Sequence, residues 1–531
     1  MYSSLTGILR TIVWLCGRRC SPMADIKQHI VYWGSDHLAI KEKLPGYALY
    51  ERVDEGLDLA TIFSASYRNA LFLLGQDAAV WSDAVLFSRL PANNILYDRR
   101  CAIAASIQPI ADLKNAHAVD FSDIDRLAHI IHYDFFPAQW GFKLSFDRFR
   151  LAPDFTGELI ERAQASATLR GDFGDEWTTL ATWTQRTWSY GDWYETFYPE
   201  CQFSTGVDVR FVLRVVAMSS GRLIATHTLE SSDFLIGLPF YVGSEDADIM
   251  VSVAGKGSGE ITLGRQHVVR TREGYGHLFA GGQRHIDPDV LAQSIATYFD
   301  AGDLKPPLVV YFSGFNIGES FDGLFMMQAM GVPFLLISDS RLYGGAFYMG
   351  SAVLENQILE TIKDTLHRLG FGPHDVILTG LSMGTTGALY YGGQIAPKAI
   401  VVGKPLPDVG TVAERGRLYR PTGFETAADI VMMLGGSNDE QGIANVNEHF
   451  WRKFRKADLS QTILGVTYMR QDDYQPNGFD RIYHQLSTQN SPVQFLHKGW
   501  IGRHNDNTGG IVQWFVQIIR LILKTRYGRE E

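Results

Sequence analysis

Cysteine is scarce in this chain, and what little there is has no metal-site or redox spacing. Its four cysteines, Cys16, Cys20, Cys101 and Cys201, form no C-x-x-C pair and have no cluster of histidines beside them, so a structural zinc site is excluded. Reduced, mostly buried thiols suit a cytosolic protein. Basic charge is not in excess either: 48 Lys and Arg stand against 58 Asp and Glu, a net charge of −10. That balance excludes nucleic-acid binding driven by phosphate neutralisation. No apolar run reaches the roughly 20 residues that a membrane-spanning helix needs. Ile511 to Leu523 is interrupted by Gln513, Gln517 and Arg520 and reads as a packed terminal helix. The short apolar stretch Leu5 to Cys16 is broken by Arg10 and followed by Arg18 and Arg19, which misplaces its charges for a secretory signal. Residues 1–25 therefore read as an N-terminal extension, with Met1 or Met23 as the start. Low-complexity segments, a glycine-rich nucleotide-binding signature, a cofactor motif and a metal-ligand set are also missing.

What is present is the composition of a globular protein: 46% hydrophobic and 20% charged over 531 residues, enough for two to four domains. Three textures follow one another. Residues 26–153 alternate strand-like runs (His29 to Trp33, Ala84 to Phe87, Asn94 to Tyr97) with helical periodicity at Phe121 to Tyr133, which predicts a small α/β domain. Residues 154–287 carry the strand-like runs Val207 to Ala217, Arg222 to Leu229, Ala247 to Val253 and Glu260 to Val269, the last two separated by Gly255, Gly257 and Gly259. This spacing predicts an antiparallel β-sandwich. The same region holds Trp177, Trp183, Trp188 and Trp193 with Tyr190, Tyr194 and Tyr198. Core and loop packing is the plainer reading of these rings. Stacking on a sugar's C–H face is the alternative, with Trp183 and Trp188 as its candidates.

Residues 288–531 are the most specific. After a linker helix expected over Asp289 to Phe299, short apolar runs at Leu308 to Phe312, Pro333 to Ile337, Val376 to Leu378, Ile400 to Val402, Ile463 to Tyr468 and Val493 to Leu496 alternate with helical segments such as Leu354 to Leu369 and Thr385 to Tyr391. Continuous apolar strands between helices predict a mostly parallel, doubly covered sheet and an α/β-hydrolase type of fold. On it sits Gly380-Leu381-Ser382-Met383-Gly384, directly after a strand and before a helix. That context is the nucleophile elbow, a sharp turn that lifts a serine hydroxyl above the sheet and leaves room only for small neighbours. A serine needs a base, and the base needs an acid to hold its tautomer. His504, in the polar loop Gly502 to Asn507 before the last helix, is the expected base, with His484 and His497 as competitors. The acid is expected after the penultimate strand, at Asp472 or Asp473, with Asp439 as the outsider. The oxyanion hole is expected from the backbone N–H of Met383 and from that of Phe315 or Asn316 in the loop after the first strand.

The stretches LKPPLVVYFSGFN, FDGLFMMQAMGVPFLLISDSRLYGGAFYMG, ILTGLSMGTTGALYYG, VVGKPLPDVG, YMRQDDY and HKGWIGRHNDNTGGIVQWF occur in order across residues 304–515. Together they resemble the second of the three accessory secretory proteins of the accessory Sec system, which in Gram-positive bacteria exports serine-rich repeat glycoprotein adhesins. The resemblance also rests on domain order and on Gly274 to Arg284. It implies an enzyme that O-acetylates N-acetylglucosamine on the adhesin and is needed for its export. It further implies a carbohydrate-binding-like sandwich, partnership with the first and third accessory secretory proteins and the accessory SecA motor, and a place at the cytoplasmic face of the membrane. Ser382 and His504 match the family's nucleophile and base; at the acid, members can carry Glu where this chain has Asp472 and Asp473. No residue pattern identifies the acetyl donor. A plain carbohydrate esterase and a non-catalytic export chaperone with a hydrolase fold are the competing expectations.

Overall fold

The computed structural model describes residues 27–53, 57–185, 187–419, 426–488 and 493–529. The N-terminal extension, Cys16, Cys20 and the choice between Met1 and Met23 lie outside the described residues. The architecture is mixed α/β, with three main sheets.

The first sheet has five parallel strands in the order Ala48–Arg52, Gln28–Trp33, Leu71–Leu74, Ile95–Asp98, His117–Val119. Its two faces bury Ile30, Tyr32, Leu71 and Leu73 on one side and Val31, Trp33, Phe72 and Leu74 on the other, the strict alternation of a strand covered twice. The run Ala84 to Phe87, expected as a strand, is instead the helix Ala84–Ser88. The Asp83 carboxylate caps it by accepting from the Leu86 N–H at 2.9 Å. A short apolar run carries no reliable period, and the cap decides the outcome.

The second sheet system has eleven strands organised about one 24-residue strand, Ala247–Arg270. The sequence suggests two strands here, split at the glycines, but one continuous strand spans them. Before the glycines the strand pairs with Val207–Ala217 and Thr178–Trp183; after them it pairs with Ser166–Asp172, Tyr194–Phe203 and Gly141–Leu144. Gly257 and Gly259 have φ of 87° and 151°, so they turn the corner by which one strand serves both layers. Gly141–Leu144 and Phe149–Leu151, both ahead of Pro153, already pair into this system.

The third sheet has eight strands in the order Gly282–Ile286, Ser294–Asp300, Phe334–Asp339, Leu308–Phe312, Val376–Leu381, Ala399–Gly403, Ile463–Met469, Gln494–Trp500. The last six are parallel. The linker helix expected over Asp289 to Phe299 is absent; Ser294–Asp300 is a strand antiparallel to Phe334–Asp339. Ile295, Ala296, Thr297 and Tyr298 are buried in succession, which an apolar helix segment would also permit in sequence. Helices Ala352–Leu369 and Met383–Ile395 cover the face carrying Leu308, Val310, Phe312, Val376 and Leu378. Helix Thr508–Tyr527 covers the other, packing Phe515, Ile519 and Ile522 on Val309, Tyr311, Ile377 and Val401. Among the described residues no helix is long and apolar enough to cross a membrane.

Strand order reverses between Leu308–Phe312 and Val376–Leu381, since the second parallel strand lies on one side of the first and the third on the other. In open parallel sheets such a reversal is where the loops leaving the two strands diverge and a ligand crevice forms. Both Ser382 and the Ser313 to Asn316 loop stand at that point.

Candidate active site

The turn from strand Val376–Leu381 to helix Met383–Ile395 is made by one residue, Ser382, with φ 53° and ψ −118°. A non-glycine residue held there is strained, and the neighbours hold it: the Ser382 N–H donates to the Gly403 carbonyl at 2.8 Å. A Cβ on Gly384 would collide with the Phe312 carbonyl, and one on Gly380 with the Gly384 carbonyl. The two glycines of the motif are therefore demanded by close backbone approach on both sides of the serine.

The Ser382 hydroxyl lies 2.8 Å from His504 Nε2, and His504 Nδ1 lies 2.7 Å from Asp472 Oδ2. The other Asp472 oxygen accepts from the Tyr474 and Gln475 N–H groups at 2.8 and 3.1 Å, so the carboxylate is aimed from both ends. Asp473 does something different, accepting the backbone N–H of His504 at 3.0 Å. The imidazole is 1% exposed. Burial lowers its pKa, against the opposing hydrogen bond and charge of Asp472, so the ring is neutral at neutral pH. A neutral imidazole whose Nδ1–H is held by a carboxylate leaves Nε2 free to take the serine proton.

The competitors are elsewhere. His484 is exposed on helix Gly478–Ser487, and His497 is exposed on the last strand, its ring 5.1 Å from that of Phe479. Asp439 is the N-cap of helix Glu440–Phe454 and accepts from the Gly442 N–H at 2.9 Å.

Two further residues shape the site without an obvious sequence motif. The Tyr474 ring lies parallel to the imidazole, 4.1 Å between centroids at 5°, and holds its plane. Lys404, at the end of strand Ala399–Gly403, is buried; burial lowers its pKa while the nearby Asp472 opposes this. Its charge also pulls the His504 pKa down. Only its position beside the strand end, in the crevice zone, could have marked it.

The oxyanion expectations fare unequally. Met383 opens its helix, so its N–H is one of the first-turn donors that have no intrahelical acceptor. The Asn316 N–H donates to the Gly344 carbonyl at 3.3 Å, and the Asn316 side chain is taken by Gly318 and Ser320. Asn316 is thus committed to the shape of its loop, and Phe315 is the remaining candidate of the two. The Phe315 ring fits against Gly344, where a Cβ would strike it.

Of the two sugar-stacking candidates, Trp183 is corrected by its surroundings. It is 1% exposed, packed among Phe149 and Phe211 in the sandwich core, and presents no face to a ligand. Trp193 and Tyr190 are core residues as well. Trp188 is 37% exposed, with its ring 4.7 Å from that of Tyr190.

Comparison with known proteins gives these features a context. The family model described as accessory Sec system GspB-transporter matches residues 50–529. Accessory secretory protein 2 of the accessory Sec system of Staphylococcus aureus (strain NCTC 8325 / PS 47) is 38% identical over 397 residues, 74% of this chain and 75% of that protein. Its counterpart of the same name from Streptococcus gordonii is 33% identical over 416 residues, 78% and 81% of the two chains. Among solved structures, a chain of the Glycosylation Associate Protein (Gap123) complex from Streptococcus agalactiae superposes with a TM-score of 0.83 at 31% identity, covering 95% of this chain and 100% of that one. The chain belongs to the accessory secretory protein 2 family of the accessory Sec system.

Proposed function

We propose that this protein is a serine-dependent O-acetyltransferase of the α/β-hydrolase type, acting on N-acetylglucosamine of a serine-rich repeat glycoprotein adhesin that the accessory Sec system exports. The observation that carries this reading is the hydrogen-bonded line Ser382, His504, Asp472, with links of 2.8 and 2.7 Å at the crevice of the eight-stranded sheet.

The chemistry runs in two halves. Ser382 Oγ attacks the carbonyl carbon of an acetyl donor while His504 Nε2 takes the hydroxyl proton. The negative charge on the carbonyl oxygen is met by the N–H groups of Met383 and Phe315, and collapse expels the donor's leaving group with the proton held by His504. A sugar hydroxyl then attacks the acetyl-serine, passes its proton to His504 and leaves as the acetyl ester, while the proton returns to Ser382. Asp472 holds the Nδ1–H throughout and stabilises the imidazolium formed in each half.

The relative in the Gap123 complex supports assembly with companion accessory proteins, here the first and third accessory secretory proteins, with the accessory SecA motor as a further partner. Such an assembly works peripherally, at the cytoplasmic face of the membrane. Mass spectrometry of the glycosylated adhesin co-expressed with this protein tests the reading. Acetyl-sized additions on its N-acetylglucosamine that vanish in Ser382→Ala, with export retained, are expected. Equal spectra from wild type and a folded Ser382→Ala would leave an export role without catalysis, and acetate released to water with none on sugar would make it an esterase.

A further inference from the structure

The loop Ser313 to Asp322, which carries Phe315, is pinned from within its own domain. The Gly314 N–H donates to Asp322 Oδ2 at 3.0 Å, the Ser338 hydroxyl to the Ser320 carbonyl at 2.8 Å, and the Tyr348 hydroxyl to the Ser313 carbonyl at 2.5 Å. It is also pinned from outside, by the sandwich. Gln139 bonds the Phe321 backbone twice, donating to its carbonyl at 2.8 Å and accepting its N–H at 2.6 Å. The Glu319 N–H donates to the Gly141 carbonyl at 3.3 Å, and a Cβ on Gly141 would collide with the Glu319 side chain, so strand Gly141–Leu144 lies flush on the loop. The Glu319 carboxylate enters the sandwich and meets His267 Nδ1 at 2.5 Å, while Glu200 meets His267 Nε2 at 3.2 Å. From the same strand the Lys143 ammonium donates to the Ser340 carbonyl at 3.0 Å, close to Tyr343 and Gly344, against which Phe315 packs.

His267, Glu319, Glu200 and Lys143 are all buried. Burial acts to lower the His267 pKa, but the two carboxylates outweigh it and raise the value overall, and each ring nitrogen faces a carboxylate oxygen. A buried charged group with satisfied partners has one low-energy arrangement, and breaking one link leaves uncompensated charge. Such a network fixes geometry more than it adds stability.

We propose that the sandwich is a positioning element for the oxyanion site, with Gln139 and His267 as positioning residues that hold the Phe315 loop at its working distance from Ser382. The inference rests on the reading of Ser382 as nucleophile and of Phe315 as an oxyanion donor. It makes the sandwich part of the catalytic unit, whether or not Trp188 touches sugar. Preorganised donors act only when held in place, and a displacement of about 1 Å lowers rates by as much as about 100-fold.

The test uses the full chain and p-nitrophenyl acetate as acyl donor, with Gln139→Ala, Gln139→Glu and His267→Ala beside wild type. Gln139→Ala is expected to lower kcat about 10- to 100-fold with KM within about twofold, the signature of a lost transition-state interaction. Gln139→Glu, which can still accept the Phe321 N–H, is expected to recover part of that loss. His267→Ala is expected to match or exceed Gln139→Ala; should it fail to fold, the half-exposed Gln139 still decides the matter. Folded Gln139 variants with wild-type kcat, whatever their melting temperature, would overturn the proposal. Should wild type show no Ser382-dependent reaction with the ester, the nucleophile reading fails by itself, and amide hydrogen exchange from Gly314 to Gly318 decides the positioning. Faster exchange in Gln139→Ala then supports it, and unchanged exchange overturns it.

Discussion

Asp472 and Asp473 are adjacent in sequence yet hold opposite ends of one residue: Asp472 meets the His504 side chain at Nδ1, 2.7 Å away, and Asp473 meets its backbone N–H at 3.0 Å. The first interaction sets the tautomer, the second the position of the loop. Asp472→Asn is therefore expected to lower the Ser382-dependent rate by about 10⁴-fold, because an amide can hold the imidazole in the wrong tautomer. Asp473→Asn is expected to lower it by less than about tenfold. Acyl transfer from p-nitrophenyl acetate measures both, and the reverse ranking would assign the acid to Asp473.

The pH dependence follows from His504. The working form is the neutral ring, so activity falls as pH drops through its pKa, and burial shifts that pKa downward from 6.5. A plot of kcat/KM against pH should rise to a plateau with its midpoint below 6.5. A midpoint above 7 would mean that Asp472 outweighs the burial of the ring.

The elbow glycines offer a stability measurement independent of the reaction. Gly384→Ala places a methyl group against the Phe312 carbonyl, with backbone on both sides and no flexible side chain to move aside. A loss of about 1–3 kcal/mol is expected, seen as a lower melting temperature of the folded chain. An unchanged melting temperature would mean that the strand and helix separate more easily than their packing suggests.

The two tryptophans should part company. Trp183→Ala removes a ring from the middle of the sandwich and is expected to destabilise by about 3–5 kcal/mol. Trp188→Ala should leave the fold intact, and titration of the folded variant with N-acetylglucosamine oligomers reads whether its ring binds sugar. Unchanged affinity would remove Trp188 from any binding face.

Much of the catalytic region was legible because its signals are local. Strands Leu308–Phe312, Val376–Leu381 and Ile463–Met469 are buried on both faces and so read as unbroken apolar runs. Ser382 lies between a strand and a helix with a glycine two residues away on each side, and all of that is contained in the motif. The strand expected at Ala84 to Phe87 and the helix expected over Asp289 to Phe299 differ from the structure for the opposite reason: a short apolar run suits helix and strand alike. Which it becomes depends on the Asp83 cap in one case and on pairing with Phe334–Asp339 in the other. Gly257 and Gly259 look like breaks because glycine usually ends a strand, whereas here they let one strand bend between two layers.

Ser382 as the candidate nucleophile, His504 as the leading candidate for the base and the alternation that builds a parallel sheet were legible because each is written in neighbouring residues. Which aspartate meets the imidazole, which tryptophan is core and which part of the chain clamps the Phe315 loop depend instead on long-range packing. Ser382 and His504 are 122 residues apart, and Gln139 and Phe321 are 182 apart. No local pattern encodes such distances; the packing of sheet, helix and sandwich sets them, and a shift of a single residue in a loop exchanges Asp472 for Asp473.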